Sequence, residues 1–189
     1  VGTTCANFID QDFDDATYLT ELKDGPLAIA TPNVQRILDC QKFDAGTCMW
    51  FYASMGRMIF EVGDLDNWQF FPFCKGIAGS GKSTILKLSS YFYESVDVGN
   101  LMSEGSRNFS IEHLYTSKVF FCYDVDKSMN FSLTRWNQMV SGEMIAVERK
   151  FKTAHQQVWT SPGAFAGNVY PPWVDQSGNV SRHMLIFLY

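Results

Sequence analysis

The sequence predicts an α/β fold: a mostly parallel, five-stranded sheet flanked by helices and preceded by a short helical segment. Three observations predict it. From residue 69 onward, short apolar runs alternate with helical patterns, the rhythm of strand–helix–strand units. A glycine-rich run, "GIAGSGKST" (76–84), separates the apolar run "QFFPFC" from the helical pattern "KSTILKLSSYFYE". Further on, "VFFCYDVD" is a run of large apolar residues that ends in acid, the pattern of a buried strand with a carboxylate at its exposed end.

Composition permits such a core. The chain has 189 residues, of which 46% are hydrophobic and 15% aromatic, while only 19% are charged, which argues against disorder. A net charge of −5 means that the surface as a whole does not attract nucleic acid, so phosphate contacts need a local basic patch. The five cysteines (Cys5, Cys40, Cys48, Cys74, Cys122) are scattered without CxxC spacing; they read as buried, reduced thiols of an intracellular protein rather than as a zinc site or disulfide framework. The three histidines lie far apart, no apolar run reaches 18 residues, and no secretory signal is legible. The chain starts without Met and stops in "HMLIFLY", as a piece of a longer protein would.

In order along the chain, residues 1–25 read as an acidic loop-like segment (Asp10, Asp12, Asp14, Asp15, Glu21, Asp24). "TPNVQRILDCQKF" carries a helix-start signal, Thr31 as N-cap and Pro32 in the first turn. "TCMWFYASMGRMIF" reads as a largely buried helix and "GDLDNW" as a turn. The five strands expected are "QFFPFC", "SVDV", "KVFFCYDV", "GAFAGN" and "HMLIFLY", with helices at "KSTILKLSSYFYE", "SIEHLY" and "SLTRWNQMV". Pro72 is awkward inside the first strand because it cannot donate to a ladder. These patterns divide the chain into a lead-in, residues 1–66, and a core, residues 67–189.

The glycine run satisfies GxxxxGK[ST] from Gly76 to Ser83. Chance gives this pattern in roughly one chain of this length in a hundred, and here it has the strand–helix context the motif requires. Glycines let successive N–H groups turn toward one point, forming a nest for phosphate oxygens at a helix N-terminus. The predicted ATP-phosphate cradle is Gly76, Ile77, Ala78, Gly79, Ser80, Gly81, Lys82, Ser83 and Thr84. Lys82 is placed to reach the β and γ phosphates, and the Ser83 hydroxyl to ligate Mg²⁺. About 40 residues later, Asp124 is the expected Mg²⁺-side carboxylate, the second protein ligand beside the Ser83 hydroxyl. Strand alternation sets Asp124 and Asp126 on one face and Val125 on the other; Asp126 reads either as an orienter of the attacking water or as a solvated turn residue.

Taken together, these segments resemble the superfamily 3 helicases, in particular the C-terminal ATPase of primase-helicases from poxviruses and other large DNA viruses. The likeness spans roughly residues 30–188. "TPNVQRIL" and "MGRMI" resemble the family's collar-like helical lead-in. "SGEMIAVERKFK" (141–152) resembles its B′ segment, "VWTSPGAFAGN" (158–168) its motif C, and "PPWVDQSGNVSRHMLIF" (171–187) its arginine-bearing loop before the last core strand.

The resemblance implies an AAA+-like fold, a hexameric ring with ATP between subunits, and DNA threaded through the centre. It implies that Asn168 is the polar sensor, and that Arg182 is the arginine finger that reaches the neighbour's γ-phosphate. Arg149, Lys150 and Lys152 fall in the hairpin that grips DNA, and His155 reads either as an extension of that patch or, as a lone histidine, as a structural residue. The sequence departs from the pattern at Val125, where some members carry a second acid, and at His183, where many carry a second arginine. The expected activity is an ATP-dependent DNA helicase of viral replication, using ATP and Mg²⁺ in the host cytoplasm or otherwise inside the cell. Two alternatives stay open: an ATP-binding ring-assembly module without unwinding activity, and a P-loop kinase of a small molecule.

Overall fold

The computed structural model describes residues 15–101, 110–127, 129, 132–149, 152–173 and 178–189. It divides into two compact units, Val1–Ala53 and Ser54–Tyr189.

The first unit holds helices α1 (Asp15–Asp24) and α2 (Pro32–Cys40) and most of α3 (Ala45–Arg57). Helix α1 lies in the stretch that reads as a loop. Its acidic start at Asp15 and its basic last turn at Lys23 complement the helix dipole, a signal hidden by the acidity of the whole segment. Helix α2 starts with Pro32 in its first turn as expected, but the Thr31 side chain does not cap it. The Thr31 hydroxyl instead shares a 2.8 Å hydrogen bond with that of Tyr52. Helix α3 is less buried than its composition implies. Cys48, Phe51 and Ser54 are buried at a spacing of three, whereas Met49 and Trp50 are about half exposed, so a single stripe is covered rather than the whole surface.

The second unit is built on five strands: β1 (Phe71–Lys75), β2 (Val98–Asn100), β3 (Val119–Val125), β6 (Gly163–Gly167) and β7 (Met184–Leu188). They form one sheet in the order β2-β3-β6-β1-β7, and every pairing is parallel. Between them lie α4 (Lys82–Ser90), α5 (Ser110–Tyr115), α6 (Leu133–Ser141) and the single turn α7 (Asn179–Arg182). The sequence "SVDV" does not form the second strand directly: Ser95–Asp97 is a 3₁₀ turn and β2 follows it. Asp97 is held there by Lys118, which pairs with its carboxylate at 2.8 Å and donates its backbone N–H to the Asp97 carbonyl.

Pro72 is accommodated by position. In β1, Phe71 N–H donates toward the β7 side and Gly76 N–H toward β6, so by alternation the missing Pro72 donor faces β6. Pairing with β6 begins only at Phe73, so Pro72 stands at the entry of the strand, before the β6 ladder starts.

An aromatic core fixes the sheet. Phe71 meets Phe120, Trp136 and Phe165 at centroid distances of 5.4–6.0 Å, and all four side chains are essentially inaccessible. Each such ring contributes about 1.5–3 kcal/mol over an exposed one. Helix α6 supplies Trp136, Met139 and Val140 and begins with a true cap, Ser132 Oγ accepting from Arg135 N–H. Apart from the sheet stands an antiparallel pair, β4 (Met144–Arg149) and β5 (Lys152–Val158). No helix among the described residues is long and apolar enough to cross a membrane.

Candidate functional site

Three strand tips meet at the carboxyl edge of the sheet. Gly167, the last residue of β6, is in register with Lys75 of β1 on one side and Val125 of β3 on the other. The residues that follow these positions are the start of the glycine loop, Asn168 and Asp126. With strands about 4.8 Å apart, the loop and the acidic tip emerge about 10 Å from each other, and Asn168 stands between them. Gly76 N–H donates to the Gly167 carbonyl at 3.2 Å, which ties the loop's first residue to the Asn168 strand. A side chain at Gly76 would collide with the Tyr189 carbonyl, so the loop leaves β1 against the end of β7.

The loop has the backbone its glycines were expected to permit. Gly79 (φ +79°) and Gly81 (φ +96°) are left-handed, and Gly81 is the N-cap of α4. Lys82 is buried, yet its ammonium is satisfied within the loop: Nζ donates to the Ile77 carbonyl at 2.6 Å and lies 3.3 Å from Ser80 Oγ. Ile77, Ala78, Gly79, Ser83 and Thr84 are exposed. The loop therefore combines exposed residues, the Ser83 and Thr84 hydroxyls among them, with a buried lysine held by the loop itself.

Asp124 is exposed near the end of β3, Asp126 is half-buried, and Val125 between them is buried. The register with β6 shifts between Cys122 and Val125, a bulge that re-aims the strand end. Asn168 is exposed just past β6. Two further residues at this edge escape sequence reasoning: the Lys75 ammonium lies 4.7 Å from the ring centroid of Tyr170, joining the root of the loop to the segment after Asn168. Their signal, an isolated Lys and an isolated Tyr, is too common to find in a sequence.

Among the described residues, no three His, Cys, Asp or Glu converge as a metal cluster. Mg²⁺ bound alongside phosphates takes only one or two protein ligands, and the exposed Ser83 hydroxyl and Asp124 carboxylate fit that pattern.

The other sequence candidates lie elsewhere. Arg149 and Lys152 are backbone register partners at the end of the β4–β5 pair; Lys150 lies outside the described residues. His155 sits opposite Val147 in the same pair and packs edge-on against Tyr115 at 5.9 Å. Arg182 ends α7 and is exposed. Its Nε lies 3.1 Å from His183 Nε2. Of the cysteines, Cys48, Cys74 and Cys122 are buried free thiols as expected, whereas Cys40 is exposed; Cys5 lies outside the described residues.

The profile of one protein family, described as a family of unknown function, DUF5906, matches residues 74–182, more than half of the chain and the whole span from the glycine loop to Arg182. No curated protein matches the sequence significantly. Among solved structures, the apo C-terminal region of NrS-1 superposes with a TM-score of 0.61 at 14% identity, over 80% of this chain and 36% of that one. A JCV helicase with a bound thiazolopyridine compound superposes at 0.54 with 16% identity, over 80% of this chain and 43% of that one. At such identities the likeness is one of fold, and the chain spans less than half the length of either neighbour.

Proposed function

The chain belongs to the DUF5906 family, whose function is unknown, and from that premise we propose that it is an ATP-driven DNA helicase of the superfamily 3 type, acting in viral DNA replication. The observation that carries this reading is the row formed by Lys75, Gly167 and Val125, which gathers the glycine loop, Asn168 and the acidic strand end on one edge. The fold shared with a JCV helicase supports it.

In this reading the glycine loop, residues 76–84, receives the ATP phosphates on its backbone N–H groups, with Gly76 N–H kept on the Gly167 carbonyl. Lys82, released from the Ile77 carbonyl, moves its ammonium to the β and γ oxygens. Ser83 and Asp124 would hold Mg²⁺, which would supply charge neutralisation to the phosphates. Asn168 both donates and accepts through its amide, suiting it to hold the attacking water or the γ-phosphate, and Asp126 is the nearby carboxylate able to orient that water. Arg182 completes the site of a neighbouring subunit in a homo-oligomeric ring, taken to be a hexamer. Its guanidinium stabilises charge on the transferred phosphoryl group. Arg149, Lys150 and Lys152 grip the backbone of single-stranded DNA without regard to sequence.

Val125 favours a second reading. The position open to a second acid is filled by a buried valine, as an ATP-binding module that assembles without turnover would tolerate. One experiment separates the two. ATP hydrolysis is measured with and without single-stranded DNA, at low and high protein concentration, for the wild type, Lys82→Ala and Arg182→Ala. The helicase reading expects turnover that rises with DNA and with concentration and is lost in both variants. Absence of turnover under every condition leaves the assembly module, and turnover indifferent to DNA and to Arg182 removes the helicase.

A further inference from the structure

His183 is 2% exposed and sits between two partners whose chemistry admits one arrangement. Its Nε2 lies 3.1 Å from Arg182 Nε, and its Nδ1 lies 2.6 Å from the backbone carbonyl oxygen of Gln69. The guanidinium Nε–H can only donate, and a carbonyl can only accept. Nε2 must therefore accept from Arg182, and Nδ1 must carry the proton that it donates to Gln69. The ring is a neutral imidazole in its Nδ1–H form.

The backbone of His183 is fixed as firmly as its ring. Its carbonyl accepts from Phe71 N–H and its own N–H donates to the Val180 carbonyl, both at 3.1 Å. Gln69 and Phe71 flank the entry to β1, the strand that runs into the glycine loop. His183 thus ties the residue next to Arg182, through both ring and backbone, to the base of the loop strand.

From this geometry we infer that His183 is a positioning residue for Arg182: it takes up the Nε–H and leaves the two Nη groups, with their paired donors, for an anionic partner. This rests on the reading of Arg182 as the group that reaches a nucleotide phosphate. It goes beyond that reading in giving the guanidinium a fixed orientation, referenced to the strand that carries the subunit's own loop. Arginine has many rotamers, and holding one of them before the phosphate arrives lowers the cost of completing the site. A second arginine at 183 cannot do this, since it has no acceptor.

Two substitutions split the ring's functions. His183→Gln keeps an acceptor near the Nε2 position, and His183→Asn keeps a donor near the Nδ1 position but offers Arg182 nothing. In nitrogen-15 spectra the wild type should show His183 as the Nδ1–H tautomer and Arg182 Nε–H exchanging slowly with water. That slow exchange should persist in His183→Gln and vanish in His183→Asn. In ATP hydrolysis, His183→Asn should lower kcat by about 10–100-fold with KM little changed, while His183→Gln retains most of kcat. An Nε2–H tautomer in the wild type overturns the inference, and so does full kcat in His183→Asn beside a large loss in Arg182→Ala. If Arg182→Ala itself leaves turnover unchanged, the proposed role of Arg182 fails and the positioning role fails with it. Should His183→Asn not fold, the wild-type tautomer and the His183→Gln exchange rate still decide.

Discussion

Gly167 lies so close to Val125 that a Cβ built on it would stand 2.7 Å from the Val125 carbonyl oxygen and 2.8 Å from the Val125 Cβ. Both are parts of a packed strand, so neither can swing away. This contact seats the Asn168 tip against the acidic tip, and it explains why an acid at 125 would be buried rather than presented. Gly167→Ala is expected to destabilise the protein by about 1–3 kcal/mol through overpacking, seen as a lower denaturant midpoint at unchanged slope. Gly56, in α3, has open space for 4 Å around the place a methyl would take, and its backbone is not left-handed. Gly56→Ala should move the midpoint up, by about 0.5–1 kcal/mol. Equal effects at the two sites would remove the close-approach argument.

Arg57 organises the approach to β1. Its Nε donates to both carboxylate oxygens of Asp66 at 2.9–3.0 Å, Nη1 to the Phe70 carbonyl and Nη2 to the Trp68 carbonyl, and its guanidinium lies 5.1 Å from the Phe70 ring centroid. The hydrogen bond from Arg57 holds the Asp66 carboxyl below its usual range, against a smaller opposing effect of burial. The stabilisation is therefore fully present above the unfolded value of about 3.9 and is lost as pH falls through the lower folded value, because the unfolded chain binds the proton first. Arg57→Ala should cost about 1–3 kcal/mol at pH 7. The gap between wild type and Asp66→Asn should narrow as pH drops below about 4, as read by chemical denaturation at each pH. A gap that widens on acidification would contradict the assignment.

What can be read from the residues and what cannot divide along the range of the interactions. The strands β1, β3, β6 and β7 announce themselves as apolar runs, and Gly76–Thr84 as a loop, because burial and backbone freedom are local properties. Strand β2 starts a few residues later than its pattern suggests: Val-Asp-Val looks like alternation, but Asp97 is claimed by Lys118 and the true strand contains Gly99, packed beneath Leu114 and Ser117. The strand order, with β6 between β1 and β3, is a matter of non-local pairing that no run of residues encodes alone. Gly167 does carry a legible hint, since glycine inside a strand marks a close approach. The His183 clamp does not, as its second partner is a backbone carbonyl 114 positions away.

The cysteines should react in two classes. Burial pushes the Cys74 and Cys122 thiols up to about 12, and burial also raises Cys48, helped by the charges of Asp39 and Asp44. Cys40 is exposed. Since the thiolate is the reacting form, Cys74 and Cys122 carry roughly 10³-fold less of it than an ordinary thiol near 8.5. Alkylation of the native protein at pH 8, followed by peptide mass spectrometry, should label Cys40 within minutes and leave Cys74 and Cys122 unmodified until denaturant is added. Rapid native labelling of Cys74 would mean that β1 opens far more readily than its position inside the sheet implies.

The basic end of the β4–β5 pair yields a quantitative prediction. Arg149 and Lys152 are cross-strand partners, and the strands behind them are anchored by the buried Ile145 and Val147, so charge can be removed there without touching the root of the hairpin. If these residues and Lys150 neutralise phosphates, each releases counterions on binding single-stranded DNA and contributes about 0.7 to the slope of log K against log salt. Changing all three to Ala should lower the magnitude of that slope by about 2 and weaken binding to every sequence alike, because backbone contacts carry no base information. A net charge of −5 sharpens the test, since no general basic surface stands ready to compensate. An unchanged slope would place the DNA contacts elsewhere, whereas a smaller slope with altered sequence preference would mean that the hairpin reads bases.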